Sequence, residues 1–305
     1  MSDGAHPADR RVRELPIWNG PVDAEALSGG ITNLNFRVRD SGGDFFVRVG
    51  EDNPIHLIQR AQEHAATRAA HAAGLAPEVV HTEDGILVLR FVQGRTLDES
   101  DVRDPEVLRR LVPVILRCHH EIPKHLRGPA LMFWVFHAVR HYAGELRDRA
   151  SPYADRLPEL LAKAAELESV IGRVEIVFGH NDLLPANFID DGERMYILDF
   201  EYSGMNDPLW DIGDLSVEAG LSREQDLEML RAYLGGEPSE AQYGRMIIYK
   251  AMCDLLWTLW GLIQYAHGNT VEDFWAYSTE RFARCKDLMN RPEFSEHVRA
   301  VRENR

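Results

Sequence analysis

The first 92 residues alternate short β-rich runs with a single helix, whereas most of the remaining chain carries a helical period. The β-rich runs are "ITNLNFRV" (31–38), "DFFVRV" (44–49) after a "DSGG" turn, "EVVHT" (78–82), and "ILVLRFV" (86–92) after "EDG". Between the second and third lies "IHLIQRAQEHAATRAAHAAG", rich in Ala and closed by Gly74, a residue suited to the left-handed position that ends a helix. Helical periods then cover 104–121, 130–149, 156–171, 223–234, 239–267 and 271–289, with "QGRTLDESD" reading as the connection between the halves. The order predicts an α+β chain of two lobes. Residues 1–92 form a small β-rich lobe, with 1–14 a flexible tail, and residues 93–305 a larger helical lobe.

One stretch breaks the helical half. "GHNDLLPANFIDDGERMYILDF" (179–200) sets a His, several Asp and an Asn among apolar residues, in two short runs joined by a "DDGE" turn. An unpaired buried carboxylate costs several kcal/mol, so a run such as "YILDF" predicts a compensating cation. Asp182 and Asn187 stand five residues apart, and Asp199 closes the following strand. This spacing resembles a kinase catalytic loop, in which a base Asp precedes a metal-binding Asn and a second Asp completes the metal site. A Mg²⁺ bridged by Asn187 and Asp199 would be the missing cation. His180 reads as a support that orients the loop by hydrogen bonds. For Asp182 the competing reading is a simple loop cap, which the presence of Asn187 and Asp199 argues against.

Net charge narrows the partners. The 34 Lys plus Arg against 49 Asp plus Glu leave a formal charge of -15, which repels nucleic acid and anionic lipid and attracts a cationic substrate. Cys118, Cys253 and Cys285 form no CxxC pair and read as core or surface thiols in a reducing compartment. The N-terminus lacks an apolar signal segment, and no run approaches the ~20 apolar residues of a membrane span. The expected location is the cytoplasm.

The N-terminal half should then hold ATP. "SGGITNLNF" brings Gly29, Gly30, Thr32 and Asn33 to the start of a strand, which suits close approach of backbone N–H groups to phosphate. In "FFVRVG" the strand offers Arg48 as a phosphate clamp, and Glu63 on the next helix is its best-placed partner, although a solvated helix Glu is the commoner case. "LRFVQG" puts Phe91 and Val92 where hinge backbone would read the adenine edge.

"GGITNLNFRV", "GHNDLLPANFI", "LDFEYSGMNDPLWDIGDLSVE" and "LLWTLWGLIQY" together resemble the choline/ethanolamine kinase family, in its short bacterial form, within the aminoglycoside phosphotransferase-like and protein-kinase-like group. The resemblance spans residues 27 to 285. It implies a two-lobed kinase-like fold and ATP-dependent, Mg²⁺-dependent phosphorylation of the hydroxyl of choline or a related amino alcohol. By resemblance Asp182 corresponds to the base, Asn187 and Asp199 to metal ligands, and Arg48 with Glu63 to the phosphate clamp. Ala186 departs from the pattern, since bacterial relatives often carry Glu there.

The acceptor side also has a physical reading. A quaternary ammonium donates no hydrogen bonds, so a selective site surrounds it with aromatic faces and one or two carboxylates. The candidates are Tyr202, Glu218, Trp257, Trp260 and Tyr277, which match the family's choline pocket by resemblance. Trp257 and Trp260 are three apart and share a helix face, but core packing is the commoner role for such a pair. Asp211 is expected to brace the catalytic loop through backbone hydrogen bonds, and Trp210 reads equally well as core. Alternatives on the same fold are kinases for ethanolamine, thiamine or an aminoglycoside, and outside catalysis a nucleotide-binding regulator. Retention of both Asp182 and Asp199 argues against the last.

Overall fold

A computed structural model describes residues 7–27, 33–148 and 153–304. Helix α1 (Pro7–Arg13) precedes a five-stranded antiparallel sheet built from β1 (Asp23–Leu27), β2 (Leu34–Asp40), β3 (Gly43–Val49), β4 (Val79–Glu83) and β5 (Ile86–Arg90), in the order β1-β2-β3-β5-β4. Helix α2 (Arg60–Ala72) falls between β3 and β4 and ends on Gly74 at φ 71°, as the sequence predicts. Alternation in β3 sends Phe45 and Val47 into an apolar cluster with Phe36, Val38, Ile86 and Val88. The opposite face carries Phe46 and Arg48, and Arg48 pairs in register with Asn35 and Leu87. The functional face of the sheet is thus set by period two.

The expected tail to residue 14 is contradicted from residue 7 onward. Helix α1 buries Ala8 and Val12 in the sheet's cluster, Arg13 donates to the carbonyls of Val22 and Ala24, and Trp18 Nε1 donates to the Val12 carbonyl at 2.7 Å. Seven residues give too short a period to stand out in sequence. The connection also has structure: β6 (Arg95–Thr96) pairs with β8 (Phe188–Asp190), and α3 (Glu99–Val102) opens with a capping box between Asp98 and Asp101.

Helices α4 (Pro105–His125), α5 (Val135–Asp148) and α6 (Leu157–Ile171) precede strand β7 (Val177–Gly179). The predicted hairpin is β8 with β9 (Met195–Ile197), and β10 (Gly204–Asn206) returns beside β7. Helices α7 (Pro208–Ala219), α8 (Arg223–Leu234), α9 (Glu240–Ala266), α10 (Phe274–Met289) and α11 (Pro292–Glu303) complete the chain. Helix α7 has clear signals, with Asp207 as N-cap, Pro208 in the first turn and Gly220 at φ 63° after it. Its interior is nearly all buried, so it lacks the polar stripe on which a helical period depends.

Helix α9 corrects another expectation. It is long and apolar enough to cross a membrane by length and composition, yet 94% of its most apolar window is buried inside the protein. Helices α5, α7, α10 and α11 pack around it, and the alanines of α2 reach the same core. All three cysteines are buried and unpaired with one another.

Candidate active site

Helix α7 holds the catalytic-loop stretch from behind. Asp211 accepts the backbone N–H groups of His180 (2.7 Å) and Asn181 (2.8 Å), the brace expected from sequence. Asp214, one helical turn on, accepts that of Leu183 (2.6 Å). The Tyr233 hydroxyl donates to His119 Nδ1 (2.6 Å), and His119 Nε2 donates to Asp211 (3.0 Å), which fixes the Asp211 carboxylate in turn. Trp210 is fully buried and its Nε1 donates to the Asn181 carbonyl at 3.3 Å, so it is a core residue that also touches the loop.

Asn181 adopts φ 72°, a left-handed conformation that Asn tolerates better than most residues. Its Nδ2 donates to the Tyr202 carbonyl and its Oδ1 accepts from Asn206 Nδ2, both at 2.9 Å. A Cβ at position 179 would lie 2.5 Å from that Oδ1, so the folded-back Asn requires Gly179. Asp182 is thereby presented on a backbone fixed from both sides. Burial raises its pKa well above the usual carboxylate range, and the negative charges of Asp214, Asp199, Glu218 and Glu201 add to the shift.

The predicted partners converge around it. Asn187, in a 3-10 turn, donates through Nδ2 to the Asp182 carbonyl at 2.9 Å. Asp199, at φ 66°, has both oxygens gripped by Arg48, with 2.7 Å to Oδ2, and Arg48 also donates to Glu63 at 2.8 Å. Burial pushes the Asp199 carboxyl up, but the Arg48 charge and hydrogen bonds outweigh it and leave the pKa below the ordinary value. His180 is buried, donates from Nε2 to the Leu198 carbonyl (2.8 Å) and has an unpartnered Nδ1 among the described residues. Burial lowers its pKa and keeps the ring neutral, in the supporting role expected of it.

A cavity of about 340 Å³ opens between the sheet face and this hairpin, lined by Phe46, Arg48, Leu87, Phe91, Val92, Asn187 and Asp199 among others. Ala186 lines it as well. Gly29, Gly30 and Thr32 lie outside the described residues. Asn33 is buried and bonds Glu201 (3.0 Å) and Arg60. Sequence reading missed this second guanidinium: Arg60 donates to Glu63 (2.6 Å), Glu201 (2.9 Å) and the Glu51 carbonyl (3.0 Å). A larger cleft of about 820 Å³ between α8, α9 and α11 contains none of the residues singled out by sequence.

The aromatic candidates also meet, within electrostatic reach of Asp182. Tyr202 and Trp257 stand edge to face at 5.5 Å, Trp257 and Trp260 at 6.0 Å, and Trp260 and Tyr277 at 6.0 Å. Two further residues join them without any sequence signal: Tyr142, hydrogen-bonded to Tyr202, and His56, whose ring lies 5.7 Å from Trp260. Burial lowers the pKa of His56 to about 4, so it is neutral. Both indoles are buried like core residues, yet their N–H groups have no protein partner among the described residues. Unsatisfied buried donors are unusual in a pure packing core. Glu218 lies near this group, as expected, but both its oxygens accept from Arg281 at 2.7 Å.

Comparison with known proteins gives these elements a common context. A choline/ethanolamine kinase family protein from Mesorhizobium loti, 41% identical, superposes with a TM-score of 0.80 over 97% of this chain and 98% of that one. Choline kinase LicA from Streptococcus pneumoniae, 26% identical, gives a TM-score of 0.73 over 87% of this chain and 94% of its own. Protein LicA of Haemophilus influenzae is 30% identical over 257 residues, 81% of this chain and 75% of the relative. The two-lobed, kinase-like α+β fold expected from the sequence is the one observed. The phosphotransferase enzyme family matches residues 23–246, from β1 through the catalytic loop into α9, and the chain belongs to that family.

Proposed function

We propose that this protein transfers the γ-phosphoryl group of ATP to the hydroxyl of choline or a closely related amino alcohol. One observation carries the reading: Asp182 is hydrogen-bonded to Asn187 through its carbonyl and lies within electrostatic reach both of Asp199, which lines the cavity, and of Tyr142, Tyr202 and Tyr277 in the buried aromatic row. Residues 1–92 act as the nucleotide-binding lobe, and residues 93–305 carry the catalytic loop and acceptor site. Aromatic faces suit an alkylated ammonium, whereas an aminoglycoside would call for more free carboxylates.

Asp182 orients the acceptor hydroxyl and takes its proton as the oxygen attacks phosphorus, a role that its raised pKa favours once positive charge is present. Arg48, held by Glu63, supplies a rigid guanidinium for phosphate oxygens. Phe91 and Val92 line the adenine end of the cavity. His180 and Asp211 keep the loop in register. The donor set fits Mg²⁺, because Asn187 commits its Nδ2 to the Asp182 carbonyl and so offers oxygen alongside the Asp199 carboxylate. Bound there, the metal would supply positive charge to the phosphate oxygens and to the crowded carboxylates.

Nucleotide titrations with and without Mg²⁺ test this assignment. Asp199→Ala should remove the metal-dependent part of ATP affinity and leave the metal-free part equal or higher, because Arg48 is released from its carboxylate partner. Asn187→Ala should weaken the metal effect less, since its ligand oxygen is neutral. Equal ATP affinity of the wild type in the presence and absence of Mg²⁺ would contradict the assignment.

A further inference from the structure

The side of the aromatic row that faces α10 carries a charge pair that bears on which amino alcohol can enter. Glu218 and Arg281 are both nearly buried and meet in a two-pronged contact, 2.7 Å at each oxygen. The Arg281 guanidinium also lies over the Tyr277 ring, 4.7 Å from its centroid, and reaches Asp254 at 3.5 Å, which Arg284 engages as well. Two carboxylates and two guanidiniums therefore balance. Each Glu218 oxygen accepts a guanidinium N–H, its charge is matched by Arg281, and Cys253 Sγ lies at a further 3.8 Å.

Primary and quaternary ammonium groups respond to such a wall in opposite ways. A primary ammonium brings three N–H donors, gives up their hydrogen bonds to water on entry, and needs acceptors in return. A quaternary ammonium brings no donor and needs only ring faces and a countercharge. Tyr202, Trp257, Trp260 and Tyr277 present rings, and the two free polar groups on the indoles are donors themselves. We infer that Arg281 is a specificity-determining positioning residue: by pairing both oxygens of Glu218 and cancelling its charge it makes the site select quaternary amino alcohols over primary ones. This rests on the amino-alcohol kinase reading above. Arg281 acts through Glu218, and Asp254 anchors it independently of any substrate.

The experiment measures kcat/KM for ethanolamine, its mono- and dimethyl derivatives and choline, with ADP release as the readout. In the wild type, kcat/KM rises with each methyl group to a choline preference of about 30-fold or more. Arg281→Lys keeps the charge but loses the fork, which releases one Glu218 oxygen. It should narrow the preference about tenfold, mainly by lowering KM for ethanolamine, with KM for ATP unchanged. The double variant Glu218→Leu with Arg281→Met removes both charges and offers no acceptor at either position, so it should retain the wild-type preference. A wild type that uses ethanolamine as well as choline overturns the inference without needing any variant. So does a folded Arg281→Lys protein with full preference, or a double variant that shifts as Arg281→Lys does. No ADP release with any of the four alcohols would overturn the underlying reading, and the inference with it.

Discussion

Asp182→Asn is expected to bind ATP and Mg²⁺ nearly as the wild type does while turning over ~10² to 10⁴ times more slowly, the usual cost of losing a positioned base. Stability should move the other way. Asp182 is buried among Asp214, Asp199, Glu218 and Glu201, so a neutral side chain of the same shape relieves like-charge repulsion. Its melting temperature should equal or exceed that of the wild type. A loss of turnover accompanied by lower stability would point to a structural role, and near-normal kcat would place the base elsewhere.

Trp260→Ala should lower kcat/KM for choline roughly 30-fold, equivalent to ~2 kcal/mol for a desolvated cation–π contact. KM for ATP should stay close to the wild-type value. Trp260 also packs against Phe274 and Trp257, so some stability is lost in either case, and the discriminating quantity is the split between the two substrates. A ring that only fills the core would cost ~3 to 5 kcal/mol of folding stability on truncation and degrade both KM values together. A neutral isostere of choline, with carbon in place of nitrogen, separates the readings again. Comparable binding of the two compounds would rule out a cation box. Truncating Trp257 as well need not double the loss, because both rings belong to one cluster.

Local patterns in the sequence made part of this arrangement legible. Period two in β3 separates Phe45 and Val47 from Phe46 and Arg48, and the five-residue spacing of Asp182 and Asn187 survives as a direct contact between them. Asp211 follows the same logic, because an acidic residue in the first turn of a helix can reach backbone N–H groups of a neighbouring loop. What remained hidden depends on pairs far apart in the chain. Arg60 and Glu201 stand 141 positions apart, and Arg281 and Glu218 stand 63 apart, so neither pairing leaves a local trace. Tyr142 and His56 join the aromatic row only because α5 and the 3-10 turn after Asn53 pack against α9. Helix α7 escaped notice for a different reason: burial on nearly every side erases the polar stripe. Asp214 sits one turn after Asp211, and that spacing could have identified it as the second support of the loop.

The most direct measurement is ADP release by the purified protein with ATP and Mg²⁺ across choline, ethanolamine, thiamine, methylthioribose and kanamycin. The proposed function predicts acceptor-dependent release that is greatest with choline, with phosphocholine as the product. Faster release with kanamycin or methylthioribose, or release that no amino alcohol stimulates, would contradict it.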